Sequence, residues 1–146
     1  MANLLKAFLA GFLSTLIFHQ GLLAVLHGAG ATDRKPYAVT PTPPFGVPAV
    51  ISLAFWGGIW GILLWLAIRS AAGTTYWLLA IVLGAVAPSL VALLVVFPLK
   101  AQPVAGGWQP AILVGALLLN GAWGIGVALF LRLFGSGAAV APRPAP

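Results

Sequence analysis

The sequence lacks cysteine and almost lacks acidic residues. With no Cys, the chain has no disulfides, no thiol catalysis and no thiolate metal site. Asp33 is the one carboxylate side chain, which excludes catalysis by paired carboxylates and proton transport through an acid buried in the membrane. A Ser-His-Asp catalytic triad is also excluded, because the chain has no Asp or Glu near the membrane or in a suitable loop to serve as its acid. We therefore expect no catalytic residues, no metal site and no enzyme.

Charge of either sign is also scarce. Charged residues make up 5% of the 146 residues and hydrophobic residues 62%, and the mean hydropathy is +1.10. A soluble domain carries about 25% charged residues, so most of this chain must have lipid as its solvent. The seven cations stand singly or in pairs beside apolar runs, as at the ends of membrane helices. They form no basic cluster among exposed aromatic residues, so nucleic acid is not an expected partner.

Four apolar runs fill the rest of the chain: residues 7–26, 48–68, 76–99 and 110–131. Each is near the roughly 20 residues that cross a bilayer as a helix. Pro48 and Pro110 suit the first turn of a helix. We therefore predict an all-α integral membrane protein, a four-transmembrane-helix bundle over residues 1–134. The tail, residues 135–146, holds small residues and proline and is predicted to be disordered.

The distribution of cations predicts the orientation. With four spans, Lys6, Arg69, Arg132 and Arg143 share one side with both termini, against Arg34, Lys35 and Lys100 on the other. This excess predicts cytoplasmic termini. A cleaved signal peptide, with residues 29–31 as its small-residue site, is the alternative. The first run exceeds the 7–15 apolar residues typical of signal peptides, so we expect an uncleaved helix.

The second and fourth runs resemble each other. The segment from Ala54 to Ile62 aligns with the segment from Leu117 to Ile125, and the same offset pairs Trp60 with Trp123 and Arg69 with Arg132. This similarity indicates two helical hairpins in the same orientation. Chance recurrence of Gly, Trp and Leu in apolar sequence is the alternative.

Small residues spaced four apart lie on one face of each helix. Such faces let helix backbones approach closely in lipid. The helix-packing residues predicted from these rows are Gly11, Gly57, Gly61, Gly84 and Gly124. Val127 is expected to face lipid.

Three polar residues lie near the middle of the spans: His19, Gln20 and Asn120. Polar side chains at that depth face the bundle interior and need partners. They form either interhelical hydrogen bonds or a small ligand-binding site, and we expect His19 and Asn120 to belong to one polar cluster. A haem or chlorin held by His19 as an axial ligand is a further alternative, and otherwise no cofactor is expected.

Four further segments combine aromatic residues, glycine and proline: Phe8-Leu9-Ala10-Gly11-Phe12, Ile17-Phe18-His19-Gln20-Gly21, Pro44-Phe45-Gly46-Val47-Pro48 and Phe55-Trp56-Gly57-Gly58-Ile59-Trp60-Gly61. With these segments the chain resembles uncharacterised small four-helix inner-membrane proteins of proteobacteria. The resemblance covers residues 6–134 and implies a bacterial inner membrane but no activity.

Together these features predict an accessory, assembly or interaction subunit. Its partners would be the lipid bilayer and either other membrane proteins or further copies of the chain. One alternative is a small transporter or channel subunit, with His19, Gln20 and Asn120 lining the path. The other is a cofactor-binding membrane protein that uses His19.

Overall fold

The computed structural model describes residues 1–136, and four of its helices are long and apolar enough to cross a membrane. They are α1 (Ala2–Gly28), α2 (Ala49–Ile68), α3 (Gly73–Leu99) and α4 (Pro110–Leu133). The all-α four-helix architecture is thus confirmed. Pro110 begins α4 as expected, whereas Pro48 caps α2 and precedes its first residue.

Two short strands interrupt the loop between α1 and α2. β1 (Pro41–Thr42) pairs antiparallel with β2 (Val47–Pro48), with Pro41 opposite Pro48. Pro41 and Thr42, the first two residues of a proline-rich run, therefore form one arm of a small hairpin. Between α3 and α4, a short helical turn at Val104–Trp108 connects the spans.

The helices pack as two antiparallel hairpins, α1 with α2 and α3 with α4. The hairpins meet mainly through α1 and α4, while α2 and α3 touch much less. The buried core lies toward the end of the bundle that carries the N-terminus, where Ala7, Ile68, Tyr76 and Leu131 are almost completely buried. α2 and α3 leave an opening between them, which is lined from Trp60 to Ala67 on α2 and from Leu83 to Pro88 on α3.

Two helices contain one π-helical turn each. The turns are Thr15–His19 in α1 and Ala92–Val96 in α3. A π turn inserts an extra residue into the helix and rotates the residues beyond it. In α1 the buried row of Ala7, Gly11 and Thr15 therefore continues at Gln20, which is buried, while His19 is only half-buried.

Val127 does not face lipid, contrary to the sequence-based expectation. Its side chain is fully buried in the core, beside Ala128 and Trp123. The expectation failed because α4 packs against both α1 and α3, so its interior face is wider than a single row of small residues.

The described chain continues two residues beyond Phe134. The Gly135 and Ser136 amides donate to the Arg132 and Leu131 carbonyls, and positive φ at Gly135 permits this helix end. The Ser136 carbonyl accepts a hydrogen bond from the Trp65 indole at 3.1 Å. Residues 137–146, most of the tail predicted to be disordered, lie outside the described residues.

Candidate functional site

The mid-span polar residues of α1 form a hydrogen-bonded group with the following loop. Gln20 Nε2 donates to His19 Nδ1 across 3.3 Å, and Gln20 Oε1 accepts from the Tyr37 backbone amide at 2.7 Å. The Tyr37 hydroxyl donates to the Leu16 carbonyl at 3.0 Å. Leu16 lies in the π turn, where carbonyls lose their regular i+4 donors. Sequence reasoning missed Tyr37, because no periodic pattern links a loop residue to a helix carbonyl.

Asn120 belongs to a different pair. Its Nδ2 donates to the Ser89 hydroxyl across 2.9 Å and so joins α4 to α3. Among the described residues, no hydrogen bond links Asn120 to His19 or Gln20. His19 and Asn120, which were predicted to share one polar cluster, thus bond in separate groups: His19 in the α1 group and Asn120 in the pair with Ser89.

A third set of hydrogen bonds ties the hairpins together. The Ser14 hydroxyl donates to the Trp123 carbonyl at 2.6 Å, and the Trp123 indole donates to the Gly11 carbonyl at 3.0 Å. The Thr15 hydroxyl donates to that same Gly11 carbonyl. Sequence reasoning aligned Trp123 with Trp60 but missed Ser14, whose partner is a backbone atom on another helix.

The predicted packing glycines lie where helices of one hairpin cross. A methyl group added at Gly61 would lie 2.5 Å from the Ala7 carbonyl oxygen and 2.8 Å from the Gly11 Cα atom. One added at Gly84 would lie 2.7 Å from the Gly124 Cα atom. A methyl group added at Gly11 would meet the Gly57 carbonyl oxygen, and one added at Gly57 would meet the Thr15 hydroxyl group. Any side chain at these positions would push the helices apart.

The two crossings are equivalent in sequence as well as in geometry. Gly61 and Gly124 occupy matching places in the aligned segments of α2 and α4. Gly61 packs on Ala7 and Gly11, and Gly124 packs on Ala80 and Gly84. Ala7-x-x-x-Gly11 and Ala80-x-x-x-Gly84 therefore act as matching faces, a similarity between α1 and α3 that the sequence comparison did not identify.

One apolar cavity of about 150 Å³ opens between the hairpins. Its walls come from α2, α3 and α4 and contain no ionisable side chain; they are Trp60, Leu63, Leu64, Ala67, Leu83, Ala87, Pro88 and Trp123. His19, Gln20 and Asn120 are not among these residues. The cavity can accept an alkyl or aromatic group and offers nothing to coordinate an ion.

Cations cluster near the end of the bundle that carries the N-terminus. Lys6 Nζ donates to the Phe134 carbonyl at 2.7 Å, where it offsets the negative end of α4. The Arg132 guanidinium lies 4.9 Å from the Tyr76 ring centre and 5.1 Å from that of Trp77. Arg69 lies 5.6 Å from the Trp65 ring centre. Such Arg–aromatic contacts are common at membrane interfaces.

Neither histidine lies in a metal-binding cluster. His27 Nδ1 is 3.0 Å from the Thr32 carbonyl oxygen, and this hydrogen bond joins the last turn of α1 to the loop that follows it. Within residues 1–136, no three His, Cys, Asp or Glu side chains come together to hold a metal ion. His19 Nε2 is the atom left to ligate a haem iron, because Nδ1 accepts from Gln20.

No protein-family model, curated protein or solved structure matches this chain. Its function must therefore be inferred from its own geometry. The chain has four apolar helices that can cross a membrane, and the polar side chains of Ser14, Gln20, Ser89 and Asn120 within them form hydrogen bonds inside the fold.

Proposed function

We propose that this protein is an accessory or interaction subunit of the bacterial inner membrane. In this role it would work through contacts with other membrane proteins or with further copies of itself. The observation that carries the proposal is the internal pairing of polar side chains within the spans. Ser14, Gln20, Ser89 and Asn120 all bond within the chain.

A transport path needs polar groups that are free to bind the solute. Here Asn120 and Ser89 bond to each other, and Gln20 bonds to His19 and to Tyr37. The cavity between α2 and α3 is lined by apolar side chains, and none of these polar groups is among its lining residues. These features favour the interaction subunit over the transporter or channel.

The inner-membrane location and the cytoplasmic termini are part of the proposal. The four apolar helices support a multi-pass membrane protein. The residues that resemble proteobacterial inner-membrane proteins support that membrane. The excess of cations on the side of the N-terminus supports the orientation, with Lys6, Arg69 and Arg132 all at that end of the bundle.

Purification in a mild detergent tests the proposal, with native mass spectrometry to determine composition. A defined assembly is expected, either a homo-oligomer or a stoichiometric complex with another membrane protein. The same preparation is then reconstituted in vesicles and its absorption spectrum recorded. A monomer that carries solute flux, with the flux lost in Asn120→Leu, would overturn the proposal in favour of a transporter. A visible absorption band lost in His19→Leu would overturn it in favour of a cofactor-binding protein.

A further inference from the structure

The loop after α1 folds back along that helix instead of leaving the bundle. Its residues 36–48, here named the proline segment, contain Tyr37, which bonds to Gln20 and to Leu16. At about 1.5 Å per residue, Gln20 lies roughly 12 Å and Leu16 roughly 18 Å below the end of α1 at Gly28. A loop in the water beyond α1 could not make these contacts, so the proline segment lies beside the helix.

A shortened α2 creates the space for this segment. α1 has 27 residues and α2 only 20. From their crossing at Gly11 and Gly57–Gly61, α1 runs roughly 25 Å on to Gly28, but α2 runs only roughly 15 Å back to Ala49. The first amides of α2, those of Ala49 and Val50, donate to the Thr40 and Ala38 carbonyls. The proline segment thus lies between the first residues of α2 and the part of α1 that extends beyond them.

The composition of the segment suits hydrocarbon. No Asp, Glu, Lys, Arg or His occurs between Pro36 and Ile68. Five residues of the segment have no amide proton to satisfy, namely Pro36, Pro41, Pro43, Pro44 and Pro48. Backbone at membrane depth needs hydrogen-bond partners within the protein for its polar groups. Each proline lowers the number of backbone N–H groups that need such a partner.

Several of the remaining polar groups have such partners. The Gly46 amide donates to the Thr42 carbonyl at 2.9 Å, and the Thr42 hydroxyl donates to the Val47 carbonyl at 2.7 Å. β1 and β2 pair with each other, and the Tyr37 amide bonds to Gln20. A segment with these bonds can leave water at a lower cost than an open loop.

The segment turns large apolar side chains away from the protein. Phe45, at the tip of the β hairpin, is 86% exposed and Val39 is 72% exposed. In water this exposure would be unfavourable, whereas at membrane depth it places both side chains against lipid. We infer that the proline segment is a re-entrant membrane segment, held within the leaflet opposite the N-terminus, where Val39 and Phe45 contact lipid acyl chains.

Thiol labelling tests this inference directly, because the chain has no cysteine of its own. Single substitutions Val39→Cys, Phe45→Cys and Lys35→Cys are reconstituted in phosphatidylethanolamine–phosphatidylglycerol vesicles. The vesicles are opened by freeze–thaw, so that a water-soluble maleimide reaches both sides. Trp56→Cys serves as the lipid-facing control, since Trp56 is 59% exposed in the middle part of α2.

The expected result is that Val39→Cys and Phe45→Cys react at least about tenfold more slowly than Lys35→Cys, and similarly to Trp56→Cys. In sodium dodecyl sulfate all four should react at similar rates. Reaction of Phe45→Cys as fast as that of Lys35→Cys in vesicles would overturn the inference and place the segment in water. Because reagent reaches both sides, this outcome does not depend on the orientation of the chain.

A nitroxide attached at the same cysteines separates contact with lipid from burial in protein. At Val39→Cys and Phe45→Cys we expect spin relaxation by oxygen, which dissolves in hydrocarbon, and little relaxation by a water-soluble nickel chelate. Protection from both reagents would mean that protein covers these side chains, and would also overturn the inference. Thermal melting of each variant verifies that it is folded.

Discussion

The indole nitrogen of Trp123 donates a 3.0 Å hydrogen bond to the carbonyl oxygen of Gly11. This bond joins the last membrane helix to the first, and the Ser14 hydroxyl reinforces it by donating to the Trp123 carbonyl. Trp123 is 2% exposed, so water does not compete for the hydrogen bond that its indole donates.

Trp123→Phe keeps an aromatic ring but removes the donor of that bond. We expect it to lower the free energy of unfolding by about 0.5–2 kcal/mol, the range for hydrogen bonds between membrane helices. Unfolding in mixed detergent–dodecyl sulfate micelles, followed by circular dichroism, measures the change. Trp56→Phe is the control, since the Trp56 ring is largely exposed. Equal effects of the two substitutions would contradict a specific role for the Trp123 bond.

Gly61→Ala and Gly124→Ala should destabilise the hairpins by a different mechanism. The added methyl group meets backbone at both positions, and overpacking of this kind costs about 1–3 kcal/mol. Gly61→Leu and Gly124→Leu should be more severe. The same unfolding assay measures all four variants.

Gly115→Ala provides a matched control on α4. A methyl group added at Gly115 meets no atom within 4 Å, and alanine favours helix over glycine by up to about 1 kcal/mol. We therefore expect this variant to be neutral or slightly more stable. If Gly115→Ala and Gly124→Ala behave alike, the crossing at Gly124 does not limit stability.

The Asn120–Ser89 pair should show energetic coupling. In a double-mutant cycle, Asn120→Ala and Ser89→Ala are expected to be non-additive by about 0.6–2 kcal/mol, because each removes the partner of the other. His19→Leu and Asn120→Leu, in contrast, should be additive within about 0.5 kcal/mol, since their hydrogen bonds belong to separate groups. Strong coupling between His19 and Asn120 would restore the single polar cluster expected from the sequence.

The topology can be tested with reporter fusions. An even number of spans places both termini on one side, and the cation excess predicts that this side is the cytoplasm. A fusion at Pro146 should report the cytoplasm, and one after Lys35 should report the periplasm. Periplasmic activity at Pro146 would reverse the orientation, whereas signals from the same side would change the number of spans.

Hydropathy and length were enough to predict the four helices. In lipid the polar backbone groups need partners within the protein, and a helix supplies all of them within one segment. Helix spacing also identified Gly11, Gly61 and Gly124, which pack at the crossings. The π turn at Thr15–His19 was beyond sequence reasoning, because it arises from packing and shifts the buried row to Gln20. Regular helix periodicity therefore gave His19 the interior position that the structure gives to its neighbour.

The α2–α3 connection was similarly misleading as a guide to contacts. It joins the two helices through residues 69–72 alone, yet α2 and α3 diverge and leave a cavity between them. The main contact between hairpins is instead made by α1 and α4, the helices farthest apart in the sequence. Ser14 on α1, for example, donates its hydrogen bond to the Trp123 carbonyl on α4, and no local pattern in the sequence indicates this pairing.

This arrangement sets the order in which the chain can assemble during synthesis. The Gly11–Gly61 crossing can form as soon as α2 has entered the bilayer, but the Ser14 hydroxyl has no partner until α4 arrives. The first hairpin must therefore persist alone in the membrane while the ribosome makes the second. The close backbone contacts at the glycine crossings stabilise each hairpin without the other, because both helices of a crossing belong to the same hairpin. The two hydrogen bonds of Trp123, with Gly11 and Ser14, can form only after α4 has entered the bilayer.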